Sequence, residues 1–304
     1  MKKLLPAVLL LTLVFSGAGC AGNLSLPTEA TSSPAPTNPP PPSPTPALPP
    51  SPTPLPTPLS PEPQEVIFTS GDGFELSGTY YPGSRVPSPV LVLMHWYPGD
   101  QTDWTEIAYW LQNRGLSGPG GDVPWRDSAW FPSLPEGQSY AVFTFTFRGC
   151  QGGCRQADHQ NWLLDARAGV QRASRLPGVD PHQIAAAGAS IGADGAAAGC
   201  AAALESSSAS CLGAFSLSPG NYLTNHYQED LQTLGSAQPP RPVWCLYDVN
   251  DHTADLCKEL SGDHFSAQSY SGGYLHGMHL LNPDLEPNPL ELMLEFLGET
   301  LSDQ

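Results

Sequence analysis

The chain has 304 residues and a formal net charge of −17, from 29 acidic against 12 basic side chains. Such an excess repels nucleic acid and anionic lipid headgroups, so no nucleic-acid partner is expected, while chemistry and fold stay open. Residues 1–20 read as an export signal: Lys2 and Lys3 form the charged start, and the apolar run from Leu4 to Phe15 is too short for an ordinary membrane span. Residues 21–64 are dominated by Pro, Ser and Thr and lack the apolar side chains needed to offset ordering entropy. They are expected to form a disordered stalk, with runs such as Pro39 to Pro42 favouring extended polyproline II.

Residues 65–304 suit one domain with a sizeable core. EVIFTS, Gly71-Asp72-Gly73 and ELSGTYYP read as a β-hairpin about a glycine-rich turn. PVLVLMH is a continuous apolar run of the kind a strand covered on both faces needs. Helical spacing follows over Thr105 to Arg114, another buried strand over 140–147, and an amphipathic helix over 159–175. QIAAAGA is a strand that runs into Ser190, followed by a small-residue helix over 192–203. The alternation continues with a strand near LGAFSLS, a loop or helix from Tyr222 to Leu234, and the strand PVWCLYD. A helix near His252 to Leu260, the strand FSAQSYS and a helix from Pro289 to Thr300 complete it. This pattern predicts an α/β fold with a mainly parallel central sheet and helices on both faces, its catalytic loops gathered at the strands' C-terminal ends.

Seven cysteines are present, and setting Cys20 aside leaves an even number in a chain expected to meet an oxidising compartment. Nearest-neighbour disulfides are expected: Cys150 with Cys154, Cys200 with Cys211, and Cys245 with Cys257. The last pair joins a mid-strand cysteine to one on a packed helix, positions that often lie too far apart for a bridge. No CxxC pair or matching histidine spacing points to zinc. Before the strand over 140–147 lies a long irregular insertion, residues 115–138, whose Trp125, Trp130 and Phe131 would either line a pocket or form a satellite core.

The small residues Ser16-Gly17-Ala18-Gly19 leading into Cys20 resemble the lipobox of bacterial lipoproteins. That resemblance implies acylation of Cys20 and a lipid-anchored, extracytoplasmic protein; a plain secretory signal cut nearby is the alternative.

Gly188-Ala189-Ser190-Ile191-Gly192 sits between a strand and a helix, where a tight turn lifts the serine hydroxyl clear of the sheet. With this elbow, the loop Met94-His95-Trp96-Tyr97-Pro98-Gly99, an acid after a late strand and a histidine near the end, the chain resembles the α/β-hydrolase superfamily, and within it the dienelactone-hydrolase-like esterases. The likeness covers about residues 65–300 and its pieces come in the superfamily's order. It implies a Ser190, Asp251, His276 triad, with Asp248 the other candidate acid or a turn residue, and His279 the other candidate base or a solvated surface histidine. It also implies an oxyanion hole from the N–H of Ile191 and that of Trp96 or Tyr97, while the ring of His95 is as readily a packed loop histidine. Phe147-Arg148-Gly149 resembles a segment that shapes a loop in relatives, so Arg148 stays outside the catalytic set. The implied function is an exported serine hydrolase cleaving a small-molecule carboxylic ester, with no metal or organic cofactor needed. A peptidase or a catalytically silent binding domain on the same fold are the alternatives.

Overall fold

The computed structural model describes residues 57–206 and 209–301. Cys20 and the predicted signal, and most of the predicted stalk, lie outside the described residues. Near residue 60 the chain already docks on the domain: Leu59 packs against the core, and Gln112 and Arg114 donate to the carbonyls of Pro61 and Leu59.

Eight strands form a single sheet: β1 Gln64–Thr69, β2 Glu75–Tyr81, β3 Ser88–Met94, β4 Ala141–Phe145, β5 Val179–Ala189, β6 Cys211–Leu217, β7 Val243–Asp248 and β8 Phe265–Tyr270. Their order is β1-β2-β4-β3-β5-β6-β7-β8. The β1–β2 and β2–β4 pairs are antiparallel and every other pair is parallel. The helices are α1 Thr105–Gln112, α2 His159–Ala173, α3 Ile191–Ala203, α4 Tyr227–Gly235, α5 Ala254–Lys258 and α6 Pro289–Thr300.

All seven residues of β3 are buried because both faces of the sheet are covered. Side chains alternate between faces: Val90, Val92 and Met94 join a core with Trp162, Ala166 and Val170 of α2, while Leu91 and Leu93 join Ile107 of α1 and Phe296 of α6. α3 is buried nearly all round, which explains its alanine and glycine composition. A Cβ at Gly199 would lie 2.6 Å from Cγ2 of Val170 on α2, so a larger residue would push the two helices apart.

Arg148 has the architectural role expected of it. Its guanidinium holds Asp165 of α2, whose side chain is fully buried, and Asp72 and Ser70 of the β1–β2 hairpin. One side chain thereby clamps the antiparallel edge of the sheet to the helical layer.

The sulfurs of Cys150 and Cys154, of Cys200 and Cys211, and of Cys245 and Cys257 lie at bonding distance. The third pair departs from the concern about its reach: β7 and α5 are joined by a short turn, which brings their Cα atoms to 6.1 Å. The insertion resolves toward the satellite core. Trp125 is buried and donates to Asp103, while Trp130 and Phe131 pack edge to face beside Trp110.

Candidate active site

The strand-to-helix turn after β5 holds Ser190 at φ 53° and ψ −117°, a conformation a non-glycine residue adopts only when its surroundings impose it. The imposition comes from backbone contact. A Cβ at Gly188 would fall 2.0 Å from the carbonyl oxygen of Gly192, and one at Gly192 would fall 2.2 Å from that of Met94. Only glycine permits so sharp a turn against the end of β3. The Ser190 N–H donates to the Leu217 carbonyl of β6 at 2.8 Å, tying the elbow to the neighbouring strand.

After β7, Asp248 braces the loop: its carboxylate accepts from the N–H of Asn250 at 2.8 Å and of Gly272 at 2.7 Å. It is fully buried in that role and does not meet a histidine. Three residues on, Asp251 Oδ2 lies 2.7 Å from His276 Nδ1, and His276 Nε2 lies 2.9 Å from Ser190 Oγ. Burial pushes the Asp251 carboxyl up, but the hydrogen bond and charge of His276 and the Thr253 N–H outweigh it, so that its pKa settles at about 2. Asp251 is therefore ionised, and a carboxylate at Nδ1 requires the proton on that nitrogen, leaving Nε2 free to accept from Ser190.

His279 is exposed, as its plainer reading expects. Its ring stands edge-on to Trp96 at 5.0 Å and to Trp125 at 5.3 Å, one helical turn beyond His276 and away from Ser190's hydrogen bond. Partial desolvation against those indoles lowers its pKa, with the charge of His276 adding to the effect.

The ring of His95 is fully buried and serves as a loop brace. Its Nε2 accepts from the Phe147 N–H at 3.0 Å, so Nδ1 carries the proton and donates to the Trp96 carbonyl at 2.7 Å. Burial lowers its pKa to about 4, which keeps the imidazole neutral in this bridge between the loops after β3 and β4. Trp96 is fixed again through its indole, which donates to Asp103 at 2.9 Å. A Cβ built on Gly277 would lie 3.6 Å from Cβ of both Trp96 and Ser190, so the oxyanion-type loop runs alongside the serine. The ring of Tyr97 packs on Trp162 and its carbonyl accepts from the Cys154 N–H. Ile191 opens α3, so its N–H is one of the helix's unpaired donors, and the Gly192 approach brings it beside the Met94–His95 backbone.

Three further residues at this site carried no role in the sequence reading. Asp194, in the first turn of α3, accepts from the N–H groups of Gly220, at 3.0 Å, and Tyr222. Burial raises its pKa to about 7 against the pull of those donors. Tyr222, so held, stands edge-on to His276 with ring centroids 6.1 Å apart. His252 offers Nδ1 to Asp251 Oδ1 at 2.9 Å and Nε2 to the Tyr222 hydroxyl at 3.1 Å. A lone acid in a helix otherwise built of small residues was the available signal for Asp194. Asp251, His252 and His276 also put three ligand-type atoms within 4.8 Å of one another, a set able to take a cation, though each already serves in the hydrogen bonds just described.

No protein-family profile matches the chain. An uncharacterized protein of Mycobacterium tuberculosis, found in two strains, is 30% identical over 134 residues, which are 44% of this chain and 39% of that protein. The chain thus matches about two fifths of the length of this curated relative. Among solved structures, a Pyrococcus furiosus esterase superposes with a TM-score of 0.52 at 16% identity, over 79% of this chain and 94% of the other. A thermostable esterase from Pseudomonas putida gives 0.54 at 15% identity, over 80% and 84%. An alpha/beta hydrolase from Penicillium gives 0.52 at 16%, over 79% and 99%. With the mostly parallel eight-stranded sheet, these likenesses establish the α/β-hydrolase fold for this protein.

Proposed function

We propose that the protein is a serine hydrolase that cleaves a carboxylic ester through an acyl-enzyme on Ser190. The observation that carries the reading is the unbroken line of contacts from Ser190 Oγ to His276 Nε2, at 2.9 Å, and from His276 Nδ1 to Asp251 Oδ2, at 2.7 Å. In this reading His276 takes the serine proton as Oγ attacks the ester carbon, and Asp251 stabilises the resulting imidazolium. The N–H of Ile191 and that of Trp96 or Tyr97 receive the charge on the former carbonyl oxygen, each worth about 3–4 kcal/mol in the transition state. His276 then returns the proton to the departing alkoxide, and water repeats the sequence on the acyl-enzyme. The three solved structures compared above, two of them esterases by name, favour an ester over other acyl substrates. The resemblance of the loop after β3, the elbow, the late acid and the last histidine to the dienelactone-hydrolase-like esterases supports that subtype.

A fluorophosphonate probe tests the reading directly. Labelling at Ser190, located by peptide mass spectrometry, is expected; a folded protein that takes up no probe would contradict it.

The proposal includes export and anchoring through an acylated Cys20. Its support is the lipobox-like segment and three cysteine pairs at bonding distance, which suit an oxidising compartment. In a bacterial host, the full-length protein should sediment with membranes and Cys20→Ala should not; equal sedimentation would remove the anchor.

A further inference from the structure

Asp251 is shared by two imidazoles. His276 uses Oδ2 and reaches Ser190, while His252 uses Oδ1 and reaches Tyr222. Because the ionised carboxylate requires a proton on His252 Nδ1, Nε2 of the neutral ring is an acceptor. The Tyr222 hydroxyl must then donate its one proton to His252, and its oxygen is left with lone pairs only. Burial, followed by the charges of Asp251 and Asp194, raises the phenol's pKa, so the proton stays on Tyr222.

The placement of this acceptor is over-determined. Asp194 grips the Tyr222 N–H, the His159 ring meets its carbonyl, and the ring covers Gly220 so closely that a Cβ there would fall 2.3 Å from Cε2. The side of the site it occupies follows from strand order. β3 and β6 flank β5 on opposite sides, so the loop carrying Tyr222 after β6 lies across Ser190 from the loop carrying Trp96 after β3. Tyr222 therefore stands opposite the oxyanion donors and against His276, where a leaving group departs and hydrolytic water enters.

Resting on the ester-hydrolase reading, we infer that Tyr222 is a further catalytic residue that orients the water of deacylation, with His252 as its positioning residue. One water proton passes to His276 Nε2 as the water oxygen bonds to the acyl carbon. The other is held by the Tyr222 oxygen. The tetrahedral intermediate then collapses, the bond from carbon to Ser190 Oγ breaks, and His276 returns its proton to Oγ. Tyr222 gains and loses no proton. An acceptor with no proton to give cannot assist a departing alkoxide, so the effect falls on deacylation and spares acylation.

The test is Tyr222→Phe with p-nitrophenyl acetate as probe substrate, followed before and after the first turnover. Labelling of the variant by fluorophosphonate is expected to persist, with a burst of about one p-nitrophenol per site. The steady rate after it should fall about tenfold or more, as loss of an orienting contact does. His252→Ala, at a side chain 72% exposed and so tolerant of change, should shift the steady rate in the same direction with the burst retained. A Tyr222→Phe steady rate equal to wild type, or burst and steady rate lowered together, would overturn the inference. Failure of the wild-type protein itself to label at Ser190 would instead remove the hydrolase reading beneath it.

Discussion

Ser190→Ala lowers turnover of an activated ester by roughly 10⁴- to 10⁶-fold, the loss seen when the nucleophile of a cooperating triad is removed. What remains comes from the oxyanion donors and from binding, which the substitution leaves in place. The thermal midpoint should barely move, because alanine inherits the same backbone and His276, a quarter exposed, can hydrogen-bond to water instead. Ser190→Gly adds a second measurement on the same position. The φ of 53° with ψ of −117° costs a serine on the order of 1–3 kcal/mol, whereas glycine pays no such steric penalty. Glycine's own entropic cost of about 0.5–1 kcal/mol is smaller, so this inactive variant should be at least as stable as the parent in urea. A turnover loss below about a hundredfold in Ser190→Ala would show that another group carries the attack.

The fold was legible because its signals are local. A run such as that of β3, apolar at every position, has few homes other than a strand covered on both sides, and helix and strand periods alternate through to α6. The elbow was legible because backbone contact excludes any side chain at Gly188 and Gly192, and that exclusion is written as residue type. The order of serine, acid and histidine was legible through a family resemblance, and the coordinates bring those three side chains together. The second arm was not. Tyr222 lies in a stretch without helical or strand period, and what aims it is Asp194, 28 residues earlier in the chain. His252 reads as an unremarkable surface residue until Asp251 is seen to present its second oxygen to it. The same holds for the insertion. Its tryptophans suit a pocket wall or a small core equally well by composition, and only the shared carboxylate of Asp103, bonded to Trp96, Trp125 and Arg126, shows them backing the oxyanion loop. Contacts between single polar side chains, several of them 20 or more residues apart, leave no period for a sequence to display.

Asp251→Asn is expected to lower kcat by about 10⁴-fold, the scale of a triad acid whose replacement inverts the tautomer of its histidine. In this protein the amide faces two imidazoles where one is usual. Its oxygen can accept from only one Nδ1–H, and its NH2 must confront the other. When the NH2 faces His276, the proton of that ring moves to Nε2 and His276 no longer accepts from Ser190. When it faces His252, His276 keeps the useful tautomer. The two arrangements compete for one amide, so removing His252 should release it. The double variant Asp251→Asn with His252→Ala is therefore expected to recover about tenfold over Asp251→Asn alone, a coupling within the 0.5–3 kcal/mol typical of residues in contact. That recovery runs against the effect of His252→Ala in the parent, where it slows deacylation, and only a shared carboxylate predicts the change of sign. The acid limb of the parent's pH profile supplies an independent check. With the Asp251 carboxyl lowered to about 2 from an ordinary 3.8, it stays ionised at every pH above about 3. The stability its ionisation contributes is present above about pH 4 and is lost as the pH falls toward 2. Activity falling between pH 4 and 7 must then follow another group, and the limb should survive in whatever activity Asp251→Asn retains. An Asp251→Asn variant within tenfold of the parent would move the acid's role to another carboxylate, with Asp248, fully buried and accepting from two backbone N–H groups, the first to be replaced in turn.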